Sequence, residues 1–277
     1  SVAATPGSHM QKSYGAYLSG KIAHQRKNFN TAADYYIQAL NQDPDNQNLR
    51  SQIYVILASR GRIEEAARYA KESLKKGDKN NITYIIIAVE DMKQGNYAQT
   101  LQTINKLDGP IYKEFINPLI KAWAYAGKNQ PDKALKELSI ISKEPSFRAL
   151  YNFHAGMIND YFDRTDAARR HYEVIVNEES LEMSFRALQI ITNFYIRSGQ
   201  QDKAVALVNK YSDDKLMVDM LNKLANNVRR ATPAETKKII TTPQLGLSEA
   251  LFSIAATLRQ GPSGVDIAHI FICLSIY

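Results

Sequence analysis

A single spacing dominates the sequence, because a small residue recurs every 34 positions along most of the chain. The equivalent positions are Ala32, Ala66, Thr100, Ala134 and Ala168, and Ala204 follows 36 residues later. Twelve residues before each of the first five lies a second, mostly small position, occupied by Gly20, Tyr54, Ala88, Ala122 and Gly156. A polar or glycine-containing turn separates the two positions in each unit. The pattern predicts helical hairpins that bury their apolar faces only by stacking on neighbouring hairpins.

Further residues stand at fixed offsets in the first two units. They are Gly20, Ala32, Tyr36, Ala39, Leu40 and Pro44, continued by Ala66, Ala70 and Leu74. In these positions the chain resembles the tetratricopeptide repeat (TPR) family, and the resemblance covers roughly residues 14–211. It implies an all-α fold, built as a right-handed α-solenoid of TPR helical hairpins.

Three segments resemble a narrower group, the exported bacterial TPR proteins whose biochemical role is undefined. The segments are YLSGKIAHQRKNFNTAADYY, PLIKAWAYAGK and FHAGMI. This resemblance implies that a signal peptide has been removed and that the protein is periplasmic. A cytoplasmic location is the alternative.

The repeat pattern divides the chain into four parts. Residues 1–10 are set aside, because GSHM is typical of the remnant of a cleaved affinity tag. Residues 11–212 are predicted to form about six repeats. Residues 213–246 are expected to hold an irregular helix and a connector, since Pro233 and Pro243 disfavour a helix interior. Residues 247–277 are predicted to form a further TPR-like hairpin, with Ala268 at its small position.

The last predicted helix, IAHIFICLSIY, reaches Tyr277 without a polar outer face. Terminal repeats usually carry such a cap, so we expect the natural protein to continue beyond Tyr277. Each large apolar side chain contributes roughly 1.5 to 3 kcal/mol when buried, so an open face should pair with another surface, such as a second copy. The residues of that face are Ile267, Ile270, Phe271 and Leu274.

Composition excludes some functions and disfavours others. The net charge of +7 comes from 35 basic and 28 acidic residues that are spread along the chain, whereas nucleic-acid binding favours a continuous basic stripe. The longest apolar run is much shorter than the roughly 20 residues of a membrane span. Cys273 is the only cysteine, so it cannot form an internal disulfide.

The candidate reactive side chains do not assemble into a site. His269 and Cys273 share a helix face, but two ligands are too few for a closed zinc site, and the cysteine is interpreted as a small core residue. His154 is interpreted as a buried, hydrogen-bonded imidazole. The sequence brings together no nucleophile, base and oxyanion donor. We therefore predict that the chain is not an enzyme and needs no cofactor or metal.

In TPR proteins the first helix of each hairpin lines the concave groove, so the resemblance implies which residues face a partner. The predicted partner-binding residues are Tyr14, Tyr17, Lys21, Asn48, Ile85, Val89, Met92, Leu119, Trp123, Phe153, Met157, Tyr161, Arg186, Asn193 and Arg197. An apolar centre with basic and polar ends suits an amphipathic helix or an extended peptide with acidic ends. The alternative for each apolar member is packing between hairpins. Trp123 and Met157 are the favoured contacts.

The best-known TPR pocket, a carboxylate clamp for the C-terminus of cytosolic chaperones, is disfavoured. Lys21 matches one of its positions by residue type, but Tyr17, Ser51 and Val55 do not supply the companions.

Three hypotheses follow. The leading one is a non-enzymatic TPR scaffold that binds proteins in its groove and self-associates through its C-terminal hairpin. The first alternative is the regulatory or substrate-binding half of a larger enzyme, whose catalytic domain lies beyond Tyr277. The second alternative is a helical-repeat RNA-binding protein, for which binding would depend strongly on salt.

Overall fold

The computed structural model describes residues 6–179, 182–259 and 265–277, and the side chains of 15–179, 182–259 and 267–277. This part of the chain contains fifteen α-helices. They are α1 (Pro6–Gln25), α2 (Phe29–Gln42), α3 (Gln47–Ser59), α4 (Ile63–Lys75), α5 (Asn81–Lys93), α6 (Tyr97–Ile104), α7 (Asn117–Gly127), α8 (Pro131–Leu138), α9 (Arg148–Tyr161), α10 (Thr165–Val176), α11 (Phe185–Arg197), α12 (Gln201–Lys210), α13 (Val218–Arg230), α14 (Pro243–Arg259) and α15 (Val265–Ile276). Short π and 3-10 turns precede α7 and α9. Helix α1 begins inside the segment assigned to a tag remnant.

The helices pack as consecutive hairpins in two compact units. The first unit consists of Ser1–Ala124 together with Leu247–Tyr277, and the second consists of Tyr125–Gly246. In the first unit α1 pairs with α2, α3 with α4 and α5 with α6, while α2 and α4 join each pair to the next. In the second unit α9 pairs with α10 and α11 with α12, and α13 packs on both members of the latter pair. The predicted all-α fold of helical hairpins is confirmed.

The small position of the first helix exists because a tyrosine of the second helix lies directly against it. A Cβ added to Gly20 would lie 2.4 Å from Cδ1 of Tyr36, and one added to Gly156 would lie 2.4 Å from Cε1 of Tyr172. Both tyrosines are buried, so neither ring can move away into solvent. Only glycine therefore permits this approach of the two helices.

At the same two positions, the larger side chain lies on the first helix in one repeat and on the second helix in others. Tyr54 is the one large residue at the first-helix position, and the second-helix position of its repeat holds the small residue Ala70. In the third repeat the two positions hold Ala88 and Ile104, and all four side chains are fully buried. A large residue on one helix is thus matched by a small one on the other, which keeps the core close-packed at nearly constant volume.

The last hairpin folds back onto the first unit. Helix α15 packs against α3. Three of the four side chains that were expected to form an open face are buried, namely Ile270, Phe271 and Leu274, while Ile267 stays 40% exposed. The expectation of an open apolar face is therefore corrected, because most of it is covered within the chain itself.

Two polar side chains of α15 cap the end of α3. His269 Nε2 lies 3.0 Å from the carbonyl oxygen of Ser59, and the thiol of Cys273 donates to the same oxygen at 3.3 Å. The last carbonyls of a helix have no intrahelical partner, so these contacts satisfy an otherwise unmet acceptor. Burial raises the pKa of Cys273, which keeps the sulfur as a thiol donor. The spacing of His269 and Cys273 thus serves a structural contact.

Replacing Gly20 or Gly156 by alanine is expected to lower the free energy of unfolding by about 1 to 3 kcal/mol, because the added methyl overlaps a buried tyrosine ring. Urea unfolding followed by circular dichroism measures the loss. Gly15→Ala is the matched control in the same helix as Gly20, since no neighbouring heavy atom lies within 4 Å of its added Cβ. It should be neutral or slightly stabilising. Equal losses at Gly15 and Gly20 would contradict the close-approach argument.

Phe271→Ala is expected to destabilise the chain by about 3 to 5 kcal/mol and to make α15 sensitive to protease, because it leaves a cavity in place of a fully buried ring of that helix. Phe252→Ala in α14 is the control, since that ring is 47% exposed. It should cost much less. Denaturant unfolding and limited proteolysis give the two readouts, and similar behaviour of both variants would show that the hairpin is not held through Phe271.

Candidate partner-binding surface

The predicted partner-binding residues all lie on first helices, but they differ widely in accessibility. Lys21 and Asn48 are exposed, and Tyr17 is half-buried, with its ring centroid 5.8 Å from that of Tyr36. The side chain of Tyr14 lies outside the described residues. At this end of the first unit, the accessible part of the predicted surface is therefore polar and basic.

The apolar centre of the predicted groove is buried. Six side chains have at most 1% exposure, namely Ile85, Val89, Met92, Leu119, Trp123 and Met157. Beside Met92, the ammonium of Lys93 donates to Ser248 of α14 at 3.0 Å, so the last hairpin lies next to the end of α5. A partner could reach these six side chains only after the segments covering them move. Their role in partner binding stays a prediction.

In the second unit, the predicted residues Phe153, Tyr161, Arg186, Asn193 and Arg197 are half-buried. They lie on α9 and α11, which are the first helices of two successive repeats. These five side chains are more accessible than the six buried ones of the apolar centre. A non-helical segment of the same chain lies on this surface.

The segment that joins α13 to α14, residues 231–242, lies on α9 and α11, and we call it the strap. It forms a turn over 232–236 and then continues without helical structure. The side-chain amide of Asn193 donates to the carbonyl oxygen of Lys237 at 2.9 Å. The ammonium of Lys238 donates to the carbonyl oxygen of Asp160 at 2.8 Å and to a carboxylate oxygen of Asp163 at 2.7 Å. Ile240 is buried at the end of the strap.

A buried ion pair positions the amide that holds the strap. The guanidinium of Arg197 donates two hydrogen bonds to the carboxylate of Asp160, at 3.1 and 2.5 Å, and both side chains are largely shielded from water. Arg197 Nε also donates to the amide oxygen of Asn193 at 2.7 Å. The amide nitrogen of Asn193 is therefore turned towards the strap backbone. Asp160, Arg197 and Asn193 form one continuous polar network.

This network changes the expected charge of a partner. The positive charge of Arg197 was assigned to an acidic partner, but Asp160 already neutralises it within the chain. Sequence reasoning missed Asp160. This residue lies on the first helix of the repeat before that of Arg197, close to the position equivalent to Arg197. The same reasoning also missed Asp163 and Lys238, because nothing in the repeat pattern places the strap on α9.

The described residues offer little else of a chemical kind. They contain no group of three or more His, Cys, Asp or Glu side chains arranged to hold a metal ion. A buried cluster joins Tyr54, Asp78 and Thr83, with the tyrosine hydroxyl 3.0 Å from the carboxylate. This cluster links α3 to the start of α5 and satisfies buried polar atoms. No helix in the described ranges has the length and hydropathy that crossing a membrane requires.

Burial lowers the pKa of His154 in α9 to about 3, against an ordinary value of 6.5. The unfolded chain therefore binds a proton below pH 6.5 that the folded chain does not, and stability falls as the pH drops from 6.5 towards 3. The free energy of unfolding should decrease by about 2 kcal/mol between pH 7 and pH 5 through this residue. Burial and the charge of Arg170 lower the pKa of His171 as well, which acts in the same direction.

Urea unfolding at pH 7 and pH 5 measures the effect. His154→Gln should reduce the difference between the two pH values, and His24→Gln, which removes an exposed imidazole, should not. An unchanged difference in the His154 variant would show that this imidazole does not control the acid sensitivity.

Comparison with solved structures places the fold among TPR proteins. A crystal structure of a tetratricopeptide repeat protein from Parabacteroides merdae superposes with a TM-score of 0.59 at 14% identity, over 96% of this chain and 100% of that one. PilF of Pseudomonas aeruginosa gives 0.46 at 14% identity, over 78% of this chain and 99% of its own. No protein-family model matches the sequence, and a comparison with curated proteins gave no match. At this identity the likeness concerns the fold alone, and the chain has the helical-hairpin fold of TPR proteins.

Proposed function

We propose that the chain is a non-enzymatic TPR scaffold that binds protein partners through the first-helix surface of its hairpins. The observation that carries the proposal is the seat of the strap on α9 and α11. There a first-helix amide, that of Asn193, holds a backbone carbonyl of a non-helical segment. Every extended peptide offers such carbonyls, so the surface has the chemistry needed to hold one.

The non-enzymatic part of the proposal rests on the sequence and the fold. The sequence brings together no nucleophile, base and oxyanion donor. We also propose an exported, periplasmic scaffold, on the resemblance of three segments to exported bacterial TPR proteins. Fractionation of the source cells, with an antibody against this chain, tests the location.

Site-specific photo-crosslinking tests the scaffold function. A photoreactive residue at Asn48 or Phe153, on first helices, is expected to capture the same partner proteins in cells. The matched controls are Glu72 and Arg170, which are exposed on the second helices of the same repeats. They should capture these partners at least tenfold less. The purified partner must then bind the purified chain, and Phe153→Ala should weaken that binding.

Capture from the second-helix positions alone, or equal capture from both sets, would contradict the proposed surface. A partner that proves to be RNA, with binding that falls steeply with salt, would support the alternative of a nucleic-acid-binding repeat protein and overturn this proposal.

A further inference from the structure

Contacts of two different kinds hold the middle of the strap on α9 and α11. The hydrogen bond from the Asn193 side chain to the carbonyl of Lys237 involves only the backbone of the strap, so any extended segment could accept it. The contacts of the Lys238 ammonium depend on the residue type, because they need a long side chain with a positive charge. The first contact fixes the path of the segment, and the second selects its sequence.

The groups around the Lys238 ammonium, which we call the cation seat, favour a positive charge. The carbonyl of Asp160 lies at the C-terminal end of α9, where helix carbonyls carry a partial negative charge. The carboxylate of Asp163 adds a full negative charge 2.7 Å from the ammonium. The guanidinium of Arg197 is paired with the Asp160 carboxylate, and that of Arg164 with Asp132, so both positive charges are partly neutralised. An acidic side chain in this place would lie against the carbonyl of Asp160 and the carboxylate of Asp163, which both disfavour a negative charge.

We propose that the α9–α11 surface is a binding site for an extended, lysine-containing peptide, and that the strap is its internal competitor. This inference deepens the proposed function and rests on it. The partner is a protein with an extended basic segment, in which one lysine replaces Lys238 and the preceding carbonyl replaces that of Lys237. The strap closes the site when no partner is bound.

The covalent connection makes the strap an effective competitor despite its few contacts. A short tether holds its occupant at an effective concentration on the order of millimolar. A free peptide with the same contacts would therefore bind the intact chain only weakly. Loss of the strap's own lysine should shift the balance, because the cation seat becomes vacant while α13, α14 and Ile240 still hold the ends of the strap.

A fluorescent peptide with the sequence of residues 232–241, TPAETKKIIT, serves as the probe. Its binding to the full chain is measured by anisotropy. The Lys238→Ala chain is expected to bind the peptide at least tenfold more tightly than the unaltered chain. Lys237→Ala is the matched control, because it removes a neighbouring exposed lysine and keeps the backbone carbonyl. It should bind like the unaltered chain.

A variant peptide and a double variant of the chain test whether the peptide lysine binds where Lys238 lies. A peptide in which glutamate replaces the second lysine should lose the tenfold gain. The double variant Lys238→Ala, Asp163→Asn should lose most of it as well, since the cation seat is then weakened. Circular dichroism melts of each variant establish that the chain is folded.

An equal affinity of the Lys238→Ala and unaltered chains for the peptide would overturn the inference, and so would tight binding of the glutamate peptide. These results would leave the scaffold proposal intact if Asn48 and Phe153 still capture partners by crosslinking. Crosslinking without preference for first helices would instead overturn the scaffold proposal, whatever the peptide does.

Discussion

The packing of the stacked hairpins depends on the distance between the two helices of each hairpin. That distance is set where Gly20 meets Tyr36 and where Gly156 meets Tyr172, because a single methyl group would overlap the ring. A repeat protein has no central core to absorb a local misfit, so each hairpin must fill its own interior. A large side chain on one helix is matched by a small one on the other, as with Tyr54 and Ala70. The interior is therefore filled although neither position requires one particular residue.

Periodicity predicted this part of the structure well, because the spacing of small residues reflects contacts within one hairpin. It gave the fold class and the placement of the predicted partner residues on first helices. It could not predict which of those residues stay accessible. The burial of residues such as Trp123 and Met157 depends on tertiary contacts, and the docking of α15 on α3 joins parts of the chain that no local pattern connects. Arg197 was assigned to a partner for the same reason, since its ion pair with Asp160 crosses two repeats.

In each unit, a segment from outside the regular repeats lies on the first helices. In the first unit it is the last hairpin, which contacts the end of α3 and the end of α5. In the second unit it is the strap on α9 and α11. The surfaces that a TPR array would offer to a ligand are thus partly used by the chain itself. Such self-contacts keep apolar and unpaired polar groups from water when no ligand is present.

The cap that His269 and Cys273 place on Ser59 has a consequence for synthesis of the protein. The acceptor emerges from the ribosome more than 200 residues before its donors, so the first unit cannot reach its final packing until α15 has been made. During that interval the α3 surface later covered by α15 is open to chaperones or to other nascent chains. The earliest repeats to be made are therefore among the last to be completed.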